Sequence, residues 1–275
     1  MIRVPLPPFQ GVQATGTAVI PAIPQGMTYE CIVLELGGTA FTLADITAIR
    51  VKLGGKVIWN ITATDLQSIN SYYDITADVA RVPLWFADPN ARSADEYMLC
   101  ALDTSVGYSS FSIECDIAGA TAPTLVAYAL QSAPISRTKP YVGMFRTLEQ
   151  QVIAPTATGI LQSQAISTGT DVGALIKAVH LFSANATQLD VSKDGFYLQQ
   201  NGYRATIQSE EAERGRVIQA GLFSFDPLAG KHYVSECVSN LNAAGKPSNL
   251  LWNLSISAAE TIRAYADLVR SFGAV

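Results

Sequence analysis

Hydrophobic and polar residues alternate along this chain in short bursts, which is typical of strands that bury one face. In residues 111–117, Phe111, Ile113, Cys115 and Ile117 alternate with polar side chains. Residues 49–53 and 56–61 flank Gly54-Gly55, which favours a tight hairpin. Many such segments separated by Gly, Pro and Asn predict an all-β sandwich rather than alternating strands and helices.

Helical signals are few and short. Thr64 and Gln67 have the spacing of a capping box, which predicts a helix start at Thr64. Ser209 precedes two glutamates, with Arg214 and Arg216 further along, an order that suits the helix dipole. We therefore expect two short helices in the connections of a β protein.

The pattern also repeats within the chain. Three segments of the first half match segments of the second at nearly constant offset, in the pairs Gly55 and Gly195, Ile117 and Ile256, and Tyr128 and Tyr265. These offsets predict two copies of one β unit, each about half the chain. Chance similarity among short β segments remains the alternative on sequence alone.

The repeat suggests a division into residues 1–137, a linker at 138–155, and residues 156–275. In the linker Tyr141, Phe145, Leu148 and Val152 recur at helical spacing, which predicts a short helix. A jelly roll of eight strands with long connections fits each unit, and an immunoglobulin-like sandwich is the competitor. The predicted fold is two tandem jelly-roll β-sandwiches with a few short helices.

The composition predicts that other protein covers much of the outer surface of this chain. Only 15% of residues are charged and 49% are hydrophobic, and protein interfaces are depleted of charge. No apolar run reaches the roughly 18 residues that span a bilayer, and three prolines near the amino terminus argue against a secretion signal. A net charge of −5 disfavours nucleic-acid binding. We therefore expect synthesis as a soluble protein in the cytoplasm.

Catalytic chemistry is poorly represented, so we predict no enzyme activity, no catalytic residue and no required cofactor. His180 lies in an apolar run and His232 near a predicted strand start, and both are interpreted as structural. Asp194-Gly195 and Asp88-Pro89-Asn90 offer oxygen ligands for calcium, but ordinary turns are the favoured interpretation. The four cysteines lack C-x-x-C spacing and are interpreted as reduced and structural.

Several segments resemble the major capsid proteins of corticovirus-type bacteriophages, which are tailless and contain an internal membrane. The resemblance is carried by residues 24–34, 46–55 and 172–181 and by the hairpin ending at Gly195. It implies two upright jelly rolls per chain and a homotrimeric, pseudo-hexagonal capsomer in an icosahedral virion.

The resemblance also implies the partners: neighbouring capsomers, the viral inner membrane or its proteins, and a vertex or penton protein. The negative net charge predicts that no sequence-specific nucleic acid is among the partners. Met1, Ile2 and Arg3 are expected to form an arm on the membrane side or towards a neighbouring capsomer. The resemblance allows a structural calcium ion, but the sequence identifies no position for it.

Two other hypotheses remain open. A carbohydrate-binding tandem jelly roll would use exposed aromatic residues such as Trp59, Trp85 or Tyr203 to stack on sugars. A spike or vertex protein of the same type of virus would differ from the main coat in copy number.

Overall fold

The computed structural model describes residues 1–135, 143–164, 166, 168, 173–229 and 237–271. In these residues the first half contains the strands β1 (Ile2–Pro5), β2 (Thr15–Ile20), β3 (Thr28–Thr39), β4 (Ile46–Leu53), β5 (Lys56–Ile61), β6 (Arg81–Trp85), β7 (Leu102–Asp103), β8 (Phe111–Ala118) and β9 (Ala122–Ser132). The second half contains β10 (Met144–Ile153), β11 (Gly159–Gln164), β12 (Leu175–Phe182), β13 (Ala186–Lys193), β14 (Phe196–Gln199), β15 (Leu222–Phe225), β16 (Val238–Ser239), β17 (Leu250–Ile256) and β18 (Ile262–Ser271). The described connections contain three α-helices: α1 (Ala63–Tyr72), α2 (Ala94–Leu99) and α3 (Arg204–Glu213).

Both halves have the same strand order. The first half has the sheets β1-β9-β3-β6 and β5-β4-β8-β2, and the second has β10-β18-β12-β15 and β14-β13-β17-β11. The short strands β7 and β16 also pair with equivalent strands, β3 and β12. This arrangement confirms the predicted tandem jelly rolls.

The irregularities of the sheets repeat as well. A β-bulge places one extra residue in a strand, and the positions of bulges are characteristic of a protein family. Three bulges of the first half have counterparts at equivalent positions of the second, with the extra residues Thr47 and Thr187, Ile58 and Leu198, and Glu30 and Lys177. Shared bulges at matching registers support duplication more strongly than the strand count does.

The predicted linker helix is wrong. Met144–Ile153 form β10, which pairs with β18 along its whole length and belongs to the second sandwich. The second sandwich therefore begins before residue 156, where the sequence placed it. The apolar spacing resembled a helix, but long-range pairing with β18 decides the backbone conformation. Tyr141 and the rest of residues 138–142 lie outside the described residues.

Both predicted helices exist, with different starts. α1 is capped by Thr62, whose hydroxyl accepts a hydrogen bond from the Asp65 amide at 3.1 Å, two residues before the predicted cap. α3 begins at Arg204, so Ser209 lies inside the helix. The helices follow β5 and β14, which are equivalent strands, so they too belong to the repeat.

Each sandwich encloses its own apolar core, and the first core extends into the second half. The two largest fully buried side chains are Trp59 in the first half and Trp252 in the second. The first core also includes Phe145, Leu148 and Tyr265 from the second half. The halves are therefore packed against each other as well as connected by the chain.

Candidate functional site: the junction between the halves

The two sandwiches meet where edge strand β5 lies parallel to edge strand β10. Trp59 and Leu148 are the paired residues, and this pairing makes one continuous sheet across both halves. The Trp59 indole nitrogen donates a hydrogen bond to the carbonyl oxygen of Arg146 at 3.0 Å. Beside it, the Asn60 side-chain amide donates to the Gln150 side-chain oxygen at 3.1 Å. The tryptophan thus serves as both an apolar anchor and a polar contact.

Buried ions lie directly behind this pairing. The Arg146 guanidinium donates to both carboxylate oxygens of Asp267, at 2.7 and 2.8 Å, and to the Trp85 carbonyl oxygen at 2.7 Å. The Lys177 ammonium lies 3.2 Å from an oxygen of Asp88 and 3.7 Å from one of Asp267. The Asp267 side chain is 0% exposed. Burial alone would raise the pKa of Asp267, but the charges of Arg146 and Lys177 outweigh it and lower that pKa.

A second polar contact joins α1 to β18. Asp65 accepts hydrogen bonds from Arg263 at 2.7 and 2.9 Å and from the Tyr265 hydroxyl at 2.7 Å. Asp65 belongs to the first half and both donors belong to the second. The bidentate geometry sets the orientation of the two halves as well as their distance.

A third set of contacts involves the end of α1. The Tyr72 hydroxyl donates to Asp226 at 3.3 Å, and Arg216 donates to the same carboxylate at 2.8 Å. The Tyr73 hydroxyl lies 3.3 Å from His180, whose other ring nitrogen is 2.8 Å from the Ser224 hydroxyl. His180 is therefore a satisfied strand residue, as predicted, and burial lowers its pKa to about 3.

The other candidate residues belong to no cluster that could hold a metal ion in the described part of the chain. Asp88 pairs with Lys177, and Asp194 and Gly195 form the turn between β13 and β14 with positive φ angles. All four cysteines are free thiols, and burial raises the pKa of Cys31, Cys100 and Cys115. His232 lies outside the described residues. No described helix has the length and apolar character needed to cross a membrane.

The aromatic residues proposed for sugar stacking are not grouped on one exposed face. Trp59 is buried in the junction and Trp85 is partly buried, whereas Tyr203 is exposed. Burial of the Trp59 ring counts against the carbohydrate-binding hypothesis, because stacking on sugars needs an accessible ring face.

Met1, Ile2 and Arg3 lie at the outer edge of the first sandwich. Ile2 and Arg3 belong to β1, which pairs with β9 opposite Gln131 and Leu130. The Arg3 guanidinium stacks 3.7 Å from the centroid of the Tyr128 ring. The predicted arm is therefore an edge strand of the sandwich in this structure, and its contacts in a shell stay a prediction.

Two family models together match nearly the whole chain. The viral coat protein P2 N-terminal domain matches residues 3–133, and the viral coat protein P2 C-terminal domain matches residues 145–271. The chain belongs to the viral coat protein P2 family. A sequence search among curated proteins found no match. Residues 134–144 lie between the two matched regions, and the first residue of β10, Met144, is the last of them.

Solved viral capsid structures share the fold of this coat protein. The major capsid protein P2 of bacteriophage PM2 has a TM-score of 0.83 and 18% identity, covering 98% of this chain and 97% of that chain. A chain of Sulfolobus turreted icosahedral virus has a TM-score of 0.67 and 9% identity, covering 97% and 90%. A chain of the PBCV-1 virus capsid has a TM-score of 0.61 and 11% identity, covering 98% and 94%.

The sequence did not reveal the buried junction of the coat protein. Lys177 in β12 and Asp267 in β18 each stand between two apolar neighbours in the sequence. A charge within an apolar strand is the signal that could have identified them, because buried charges are almost always paired. Their partner Arg146 was assigned to the wrong element, so the ion pair was not predicted.

Proposed function

We propose that this coat protein is the major capsid protein of an icosahedral bacteriophage, and that three copies form a pseudo-hexagonal capsomer. The observation that carries the proposal is the repeated strand order, joined through a buried junction. Two equivalent sandwiches per chain, repeated by a threefold axis, present six similar faces to neighbouring capsomers. Membership in a viral coat protein family supports the role of a shell component.

The junction suits this role because it fixes the two sandwiches relative to each other. Arg146, Asp267 and Asp65 are paired through bidentate contacts across or behind the meeting edge. A capsomer must present its faces at constant angles, since a rotation between the halves would misplace the contacts with its neighbours. A structural protein gains from such rigidity without needing a catalytic cleft.

We further propose the partners and location. The capsomers would contact one another, a vertex or penton protein, and an internal membrane or its proteins, after soluble synthesis in the host cytoplasm. Met1 to Arg3 are proposed to take part in contacts with other subunits. Calcium between subunits would be an addition to this assembly, and the coat protein would need no cofactor for folding.

The decisive experiment measures the mass and shape of the purified coat protein. Light scattering should give three times the 29.3 kDa subunit mass, and averaged electron micrographs should show particles with a six-sided outline. In virus particles that contain this chain, it should be the most abundant shell protein. Its copy number per particle therefore distinguishes a main coat protein from a spike protein. A compact monomer under every assembly condition would overturn the proposal.

A further inference from the structure

A lysine and two aspartates meet behind the junction in a place that water does not reach. Lys177 is the extra residue of the β12 bulge, and its nitrogen lies 3.2 Å from an oxygen of Asp88, which belongs to the first half. The same nitrogen lies 3.7 Å from an oxygen of Asp267. These side chains are 3%, 8% and 0% exposed. Bulges redirect side chains, and this one brings a primary amine against a carboxyl group.

The Asp88 carboxyl group is held in one orientation for this contact. Its Oδ1 atom accepts a hydrogen bond from the Asn90 amide at 2.9 Å, and its Oδ2 atom faces the Lys177 nitrogen. The Ala91 amide also donates to the Asp88 carbonyl oxygen at 3.1 Å, which closes a turn around Asp88. The carboxyl carbon lies one bond beyond the oxygen that the amine contacts. Groups held this closely react as if at a very high concentration.

Burial makes the ionised form of this pair unfavourable. The Lys177 nitrogen lies 4.5 Å from the centroid of the buried Tyr73 ring. Keeping an ammonium and a carboxylate away from water is costly even when they are paired. An amide in their place would carry no charge, and the Arg146–Asp267 pair would still be neutral as a whole.

We propose that Lys177 and Asp88 condense to an isopeptide bond, which joins the two sandwiches covalently. The ion pair in the structure is the state that precedes this bond. One proton passes from the Lys177 ammonium to the Asp88 Oδ2 atom, which gives a neutral amine and a neutral carboxylic acid. The amine nitrogen then attacks the Asp88 Cγ atom. The bond from Cγ to Oδ2 breaks, and Oδ2 leaves as water after it takes a second proton from the nitrogen.

Two neighbouring groups are placed to assist this reaction. The Asn90 amide stabilises the negative charge that develops on Oδ1 during the attack. Asp267, next to the Lys177 nitrogen, is placed to relay the second proton and return to its ionised form. In the product, the amide nitrogen would donate to Asp267 and the amide oxygen would keep the Asn90 contact. The new buried amide would therefore have partners for both polar atoms.

This cross-link would add a property that the non-covalent contacts cannot supply. Residues 88 and 177 belong to different sandwiches, so the bond would keep the sandwiches together even when the junction opens. It does not depend on the trimeric capsomer, and its test is independent of any measurement of assembly.

Intact mass spectrometry of the denatured protein tests the proposal. Wild-type coat protein should be lighter than the mass calculated from its sequence by one water molecule. The matched control is K177R, which keeps the positive charge but has no primary amine. Relative to its own calculated mass, K177R should lack this loss of water. The full calculated mass for folded wild-type protein would overturn the proposal, whether or not K177R folds.

Tryptic peptides should locate the bond. The linked product should contain residues 82–92 joined to residues 147–193, with no cleavage after Lys177. Lys52 and Glu114 provide an internal control, because they lie 2.5 Å apart but their side chains are 28% and 21% exposed. Their peptides should stay separate, since an exposed ion pair remains hydrated. Loss of water without the 82–92 and 147–193 product would overturn the assignment to these residues.

Cleavage by dilute acid gives a second readout. The chain contains two Asp-Pro bonds, Asp88-Pro89 and Asp226-Pro227, and acid cleaves such bonds with the help of the free aspartate carboxyl group. Unfolded wild-type protein should therefore be cut after Asp226 but not after Asp88, whereas K177R should be cut after both. Equal cleavage after Asp88 in the two proteins would show that this carboxyl group is free and would overturn the proposal.

Discussion

At the scale of single residues, the junction depends on charges that have left water. Arg146 and Asp267 make two hydrogen bonds to each other, and Lys177 lies close to the same carboxylate. Moving such ions out of water is unfavourable, and only complete pairing offsets it. The pair therefore specifies how the halves meet more than it adds to stability. Removing Asp267 leaves the buried Arg146 without its carboxylate partner, whereas Lys177 keeps its contact with Asp88.

We expect Asp267→Asn to lower the free energy of unfolding by about 3–5 kcal/mol, because the buried Arg146 and Lys177 lose their shared counter-charge. The matched control is Asp116→Asn, which removes a carboxylate from a bidentate pair with Arg50 that is partly exposed. Its effect should stay near or below about 1 kcal/mol. Denaturant unfolding measures both, and equal losses would contradict the assigned burial of the charge.

His180 predicts a dependence of stability on pH. Its pKa is lowered to about 3 in the folded protein, against an ordinary value of 6.5. The unfolded chain therefore binds the proton first, so the stabilisation is complete above pH 6.5 and is lost as the pH falls towards 3. His180→Gln should lower stability at pH 7 yet flatten its decline between pH 6.5 and 4. Parallel curves for the two proteins would show that His180 is not the titrating group.

At the scale of elements, the end of the β3–β9 pair depends on a close contact between the two backbones. β3 pairs with β9 as far as Thr39 and Ala122. At Gly38 a Cβ atom would lie 2.0 Å from the Ala122 carbonyl oxygen, and φ is +91°. Only glycine lets the two strands approach this closely while adopting that backbone conformation.

Gly38→Ala should therefore destabilise the coat protein more than Gly26→Ala does. Gly26 has a similar φ of +110° but open space around its Cβ position. Gly26→Ala should lower the free energy of unfolding by about 1–3 kcal/mol through backbone strain alone, and Gly38→Ala by more because β9 must move. Hydrogen exchange should locate the extra loss in the β3–β9 end. Equal values for the two variants would contradict the close contact.

At the scale of the whole molecule, the halves form one cooperative structure. The first core includes residues of both halves, and Asp65 and Asp226 bind donors across the boundary. Opening the boundary would expose Trp59, one of the two largest buried side chains, together with several buried charges. Either half by itself would expose apolar groups of the shared core and would lose the ion pairs Asp65–Arg263 and Asp88–Lys177, which cross the boundary.

Scanning calorimetry should therefore show a single unfolding transition, with calorimetric and van't Hoff enthalpies in a ratio close to one. Measurement at several protein concentrations separates this transition from dissociation of oligomers. Asp65→Ala, which removes the acceptor for Arg263 and Tyr265, should weaken the coupling and broaden the transition. Two well-separated transitions in the wild-type protein would show that the sandwiches unfold independently.

Local patterns were enough to predict part of this architecture. The alternation around Ile113 and the glycines at 54 and 55 correspond to β8 and to the β4–β5 hairpin. The predictions that were wrong concern segments whose conformation depends on distant partners. Leu148 has helical spacing to its apolar neighbours but lies in a strand between β18 and β5, and α3 begins before its acidic residues.

The sequence by itself determined the β class, the duplication and the absence of a recognisable catalytic motif, because side-chain alternation and turn residues act over a few positions. Tertiary structure alone decided that β10 completes a sheet begun by the first half and that Arg146, Lys177 and Asp267 share one buried site. It also decided that β1 and β14 are edge strands among the described strands. Pairing partners and burial depend on contacts between residues far apart in the chain, which no local pattern records.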